Sequence, residues 1–313
     1  MALLSEYALT PDVFDQSFYS TEEVADIHLQ HLKEALLNEG LVRNLRDGEW
    51  LRLFSNNDRP WHIRGKELLK KLVTQKRLNR CASALATAPS SDEEWCREAL
   101  ESHTMIPLRG IISTPTIADV FQGEQLVASI NRLSSAHWWS GRSPSVRLSR
   151  NITSYIDNLK LILQCANSIM FIDPHLDPTK PWYGDFITIL TSMSGRSPAP
   201  LIEVHRVCYI GAGRSRRFPS EDDWKSCFRG AFSGPLRSAG LSVEIFIWDD
   251  FHDRHIITDL IGIHAGNGFD TTTDPDDITT WTRLGRSDRD DVQREFDPAS
   301  GRHNLKYRFS IPT

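Results

Sequence analysis

From Ile152 onward the chain alternates helix-patterned and strand-patterned segments, and that alternation commits its second half to α/β packing. Ile152, Ile156, Leu159 and Leu163 fall at helical spacing. Ser168–Asp173 and Leu201–Ile210 read as short buried strands, Trp224–Ala239 as a helix interrupted near Gly234-Pro235, and Ser242–Trp248 as a third strand. His255–Ile263 completes the set as a fourth. No internal repeat is visible.

The first half has another pattern. Ser20 and Glu23 have capping-box spacing, and Val24, Ile27, Leu32, Ala35 and Leu36 follow a helical period until Gly40. A second amphipathic helix is predicted from about Gly65 to Arg80, with Leu68, Leu69, Leu72 and Val73 on one side, followed by a polar break at Ala88–Glu94. Ile111–Arg150 reads as connecting structure, and Ser140-Gly141-Arg142-Ser143-Pro144 as the boundary between halves. The expected organisation is a mainly helical N-terminal domain over residues 1–140, whose role the sequence leaves open, and an α/β mixed-sheet domain over residues 150–313.

At 313 residues and 40% hydrophobic content the chain can build a core for each domain. No run approaches the roughly 20 apolar residues that span a bilayer, and no basic segment precedes an apolar signal core. The expectation is a cytoplasmic protein without a membrane partner. Cys81, Cys96, Cys165, Cys208 and Cys227 are scattered and odd in number, which suits a reducing compartment and argues against structural zinc. The net charge of −5 hides an uneven distribution. Arg64, Lys66, Lys70, Lys71, Lys76, Arg77 and Arg80 face one acid, Glu67, so Lys66, Lys70 and Lys71 are candidate contacts for nucleic-acid phosphates. The alternative is a solvated helix face. HExxH, GxSxG and Walker sequences are absent.

The densest chemistry lies at Trp248-Asp249-Asp250-Phe251-His252-Asp253-Arg254-His255-Ile256-Ile257-Thr258-Asp259, followed after six residues by Gly266-Asn267-Gly268-Phe269-Asp270. The spacing HxR(x4)D(x6)GN resembles the HxK(x4)D(x6)G[ST/N] signature of the phospholipase D superfamily, with arginine in the lysine position. A closer resemblance is to the phospholipase D-like domain that follows the MIT domain in eukaryotic membrane-trafficking proteins, where HDR and GxGLD sequences recur together. Here Phe269 replaces the leucine, and Ile172-Asp173-Pro174-His175 resembles the DPY sequence after the first strand. The segment is also similar to bacterial proteins associated with phage defence. The resemblance covers about Ile152 to Thr313.

The resemblance implies a phospholipase D-like fold and a metal-independent, cofactor-free phosphodiesterase. A phosphodiester must be neutralised before a nucleophile approaches, and Arg254 maps onto the group that does so. His252 maps onto the nucleophile that forms a phosphohistidine, Asp259 onto the aspartate that orients a histidine, and Asn267 onto a polar residue near phosphate. The family needs a second histidine, and this chain holds one motif, so a symmetric homodimer is expected to supply it.

Other residues keep two readings each. His175 is either a pocket residue at a strand's carboxyl end or part of a turn fixed by Pro174 and Pro178. Arg214, Arg216 and Arg217, in a glycine-containing loop, form either a phosphate clamp facing His252 or a solvated loop. Trp138 and Trp139 either stack on bases or fill a core. Two functions follow: a nuclease of bacterial anti-phage defence, or an inactive module that binds a phosphate-bearing ligand or nucleic-acid backbone and recruits a partner protein of a defence system.

Overall fold

A computed structural model describes residues 3–56 and 59–312. The chain divides into two compact units, Leu4–Arg142 and Ser143–Thr313, with Leu3 grouped with the second. The division falls inside Ser140–Pro144, where small and turn-forming residues cluster.

The first unit contains β1 (Ser5–Leu9), α1 (Glu22–Glu39), β2 (Gly40–Asn44), α2 (Leu45–Arg52), α3 (Ile63–Thr74), β3 (Leu78–Arg80), α4 (Asp92–Met105), β4 (Gly110–Ser113), α5 (Pro115–Val120), β5 (Val127–Ser129) and α6 (His137–Ser140). Helices hold most of its regular structure, but they pack around a five-stranded parallel sheet of order β3-β2-β1-β4-β5 that the sequence reading did not contain. Ile111–Arg150 is therefore not connecting structure: it supplies β5 and nearly all of β4. The cap of α1 is Thr21 rather than Ser20, its side chain accepting from the Val24 N–H at 3.4 Å. The helix expected from Gly65 to Arg80 stops at Thr74, and its last residues form β3. Trp139 is buried, with the Arg142 guanidinium 3.7 Å from its ring centroid, so the core reading of this tryptophan is correct.

The second unit runs β6 (Ser145–Ser149), α7 (Ile152–Cys165), β7 (Ser168–Ile172), α8 (Phe186–Thr191), β8 (Leu201–Val207), α9 (Glu221–Ala239), β9 (Val243–Trp248), β10 (His255–Thr258), β11 (Gly262–Ala265), β12 (Ile278–Arg283), α10 (Arg286–Glu295) and β13 (Leu305–Ile311). It is an α/β fold with an eight-stranded mixed sheet of order β13-β9-β8-β7-β10-β11-β12-β6. β7, β8 and β9 are parallel neighbours, and the other pairings are antiparallel. α9 starts with a capping box of Ser220 and Asp223 and continues through Pro235 without the expected break. His255–Ile263 is two strands, not one. The Thr258 hydroxyl donates to the Ile261 carbonyl and accepts from the Leu260 and Ile261 N–H groups, turning the chain between β10 and β11.

The register gathers the site. β7 pairs with β10 so that Ile172 faces His255 and Ile169 faces Thr258. The carboxyl ends of β7, β8 and β9 therefore share one sheet edge with the amino end of β10 and the carboxyl end of β11, where loops of an α/β sheet collect ligand-binding groups. Beneath that edge Phe171 packs edge-on against Phe186 and Phe269, at 5.2 and 5.4 Å between ring centroids. Phe269 is fully buried and anchors the Gly266–Asp270 segment.

Candidate phosphate-binding site

Asp173 follows β7 and is fully buried. Its carboxylate accepts from the His175 N–H at 2.9 Å, the Phe269 N–H at 3.2 Å and the Tyr183 hydroxyl at 3.1 Å. Burial pushes its pKa up, while these donors and the Arg254 charge oppose the rise. Arg254 Nε lies 3.7 Å from Asp173 Oδ1, beyond hydrogen-bond reach, and has no hydrogen-bond partner among the described residues. The guanidinium is thus set against a buried carboxylate, 27% exposed, with donors left over for an anion.

Gly268 makes the arrangement possible. Its φ is +82°, and a Cβ there would stand 2.3 Å from Asp173 Oδ2 and 2.9 Å from Arg254 Cδ. Only glycine lets this turn close over both side chains. Asn267, next in the turn, is exposed, and its N–H donates to the Thr279 hydroxyl at 3.3 Å. Asp270 is tied to Arg150, and its carbonyl accepts from the Tyr155 hydroxyl at 2.9 Å.

His252 is exposed at the same edge. The segment carrying it is pinned on both sides: Phe251 packs edge-on against Phe296 at 4.9 Å between centroids, and the Arg254 carbonyl accepts from the Ala265 N–H at 2.8 Å. His175 is also exposed, and with Asp177, Lys180, Trp182, Arg206 and Tyr209 it lines a cavity of about 240 Å³. Its pKa is lowered by partial desolvation and by the charges of Arg254, Arg206 and His252, while Asp270 acts the other way. Arg206 is buried and donates to the carbonyls of Leu176, Val207 and Tyr209 at 2.7–2.9 Å, which locks the ends of β7 and β8 together. Desolvation lowers its pKa to about 10, so the guanidinium remains charged at neutral pH.

Asp259 does not join this cluster. It follows β10 at the far end, five residues and about 16 Å of extended chain from Arg254. Its carboxylate accepts from the Asn167 N–H and side-chain amide at 2.9 and 3.0 Å, fixing the start of β7. Within this chain Asp259 holds the start of β7, at the opposite end of β10 from His252.

The arginine loop only partly meets its expectation. Arg216 lies over the Tyr209 ring at 3.8 Å, donates to its hydroxyl at 3.0 Å, and stands 4.0 Å from Asp250, two residues before His252. Arg214 and Arg217 are exposed. Lys66, Lys70 and Lys71 lie on the exposed face of α3, in the other unit, whereas Arg77 is buried and donates to the carbonyls of Gly40 and Leu37, so it leaves the basic patch. The sequence reading missed the coupling of Asp173, Gly268 and Arg254 and the lock made by Arg206. The glycine beside Asn267 was the available signal.

Among the described residues no group of three or more His, Cys, Asp or Glu is placed to share a metal ion, and no helix is long and apolar enough to cross a membrane. No protein-family model matches the chain, and no curated protein matches it in sequence. Solved structures that match include Nuc, a phospholipase D family member from Salmonella typhimurium, at 11% identity over 52% of this chain and 97% of that one, TM-score 0.33. TrmBL2, an archaeal chromatin protein with a novel mode of DNA binding, matches at 10% identity over 78% and 82%, TM-score 0.30. Polyphosphate kinase from Porphyromonas gingivalis matches at 15% identity over 67% of this chain and 35% of that one, TM-score 0.33. With scores this low, the chemistry rests on the geometry of the chain itself.

Proposed function

We propose that the second unit is a phosphodiesterase acting on nucleic acid, with His252 as nucleophile and Arg254 as the phosphate clamp. The observation that carries this reading is the partly exposed Arg254 guanidinium, backed through its buried Nε by the Asp173 carboxylate and two residues from an exposed histidine. A planar fork suits two phosphate oxygens at once and stabilises charge that grows there during attack. Both histidines and the exposed Arg214 and Arg217 lie on the surface, which favours a polymer over a small enclosed ligand. Asn267 and Arg216 extend the phosphate contacts within the second unit; Lys66, Lys70 and Lys71, exposed on α3 of the first unit, are separate candidates for contact with nucleic-acid phosphates. Supply of a second histidine by a homodimer and the anti-phage role rest on the family resemblance alone.

The test is incubation of the full chain with single- and double-stranded DNA and RNA in chelator, beside His252→Ala. Cleavage that falls by about 10⁴-fold or more in the variant is expected. Intact substrate at high protein concentration, with salt-sensitive binding retained, would instead support a non-catalytic module that binds the nucleic-acid backbone.

A further inference from the structure

His175 leaves the end of β7 on the edge that carries His252 and Arg254, and on its other side it lines a cavity with Asp177, Lys180 and Arg206. Its position is built into the site. Its N–H donates to the Asp173 oxygen that faces Arg254 Nε, so one buried carboxylate sets both the phosphate clamp and the histidine's backbone. Pro174 precedes it, and Arg206 holds the following Leu176 carbonyl at 2.9 Å, which fixes the turn from both sides. Neither the His175 nor the His252 imidazole donates or accepts a hydrogen bond among the described residues. Each is free to meet a ligand.

We propose that His175 is the second histidine of the phosphodiester site and acts in the same chain as His252. The proposal rests on the reading of His252 as nucleophile. In the first step a His252 imidazole nitrogen bonds to phosphorus, the bond from phosphorus to the leaving oxygen breaks, and that oxygen takes the proton of the His175 imidazolium. In the second, water bonds to phosphorus and gives its proton to neutral His175. The nitrogen–phosphorus bond then breaks and restores His252. Each proton is recovered, and water is the sole further reactant. In the free site partial desolvation and then the charges of Arg254, Arg206 and His252 disfavour the imidazolium, and Asp270 favours it. A bound phosphodiester adds negative charge and so promotes proton uptake when the substrate arrives.

A single chain then holds the whole site. The experiment compares the full-length wild type with His175→Gln, His175→Asn and His252→Gln on two substrates: a single-stranded oligonucleotide, and bis(p-nitrophenyl) phosphate, whose leaving group departs without a proton. The His175 variants are expected to lose about 10² to 10⁴-fold on the oligonucleotide. They should still release a burst of about one p-nitrophenol per chain and then stall, because the second step lacks its base. That burst also shows that the site is folded. His252→Gln should lose both activities, and mixing the two kinds of variant should restore nothing. His175 variants at wild-type rate on both substrates, with His252→Gln inactive, would overturn the His175 assignment and leave the phosphodiesterase reading standing. Activity recovered on mixing would overturn the same-chain assignment. A His252→Gln chain as active as wild type, or a wild type that cleaves neither substrate, would overturn the underlying reading as well.

Discussion

Arg254 presents a rigid planar fork, and a rigid fork needs a rigid backing. Asp173 provides it electrostatically and Gly268 sterically, one below the guanidinium and the other against its stem. Gly268→Ala should therefore destabilise the chain by about 3 kcal/mol in urea unfolding, since strain at positive φ adds to the clash with Asp173. Gly195 offers the control: its φ is +74° but nothing lies within 4 Å of an added Cβ, so Gly195→Ala should cost about 1 kcal/mol. Equal losses in the two variants would remove the argument for close packing. His252, Arg254 and Asn267 were legible because their spacing is local. Asp173 showed only in the resemblance to the DPY sequence, and its contact with Phe269 was not legible because 96 residues separate the two. Asp259 sits at motif spacing, and the turn after β10 directs it toward Asn167.

At the level of elements, β8 holds the edge together from inside the sheet. His205 on this strand is fully buried, accepts from the Trp248 indole N–H at 3.0 Å, meets Glu203 at 3.2 Å and stacks on Phe246 at 4.6 Å between centroids. These partners assign the neutral tautomer with the proton on Nε2. Burial lowers its pKa in the folded chain, while in the unfolded chain it takes a proton as pH falls through about 6.5. Between those values the unfolded state holds more protons, so folding stability falls with falling pH. The His205 contribution to that slope is expected to reach up to about 1.4 kcal/mol per pH unit, and His205→Gln should remove it in urea unfolding between pH 7 and 5. An unchanged slope would mean that His205 is not held neutral. The strands around it were readable as apolar runs, but β10 and β11 merged because Ile256, Ile257, Leu260, Ile261 and Ile263 leave no polar gap except Thr258-Asp259. That pair makes the turn.

Across the whole molecule, the two units were unequally legible. The parallel sheet of the first unit escaped notice because its strands are only three to five residues long and because buried charges interrupt the apolar pattern. Glu6 on β1 and Arg43 on β2 are both 1% exposed in their side chains and pair with each other inside the core. A fully buried strand is normally recognised by uninterrupted apolar residues, and an internal ion pair removes that signal. In the second unit β7, β9 and β10 keep mostly apolar runs, so its alternation stayed readable and its candidate site could be placed on strand ends. At that edge the proposed chemistry is a covalent phosphoryl transfer through His252. The direct measurement is mass spectrometry of the full chain quenched in alkali during turnover of a phosphodiester in chelator. A phosphoryl adduct on His252 is expected, approaching about one per chain when His175→Gln blocks its hydrolysis. Turnover with His252 unmodified, or an adduct on another residue, would contradict it.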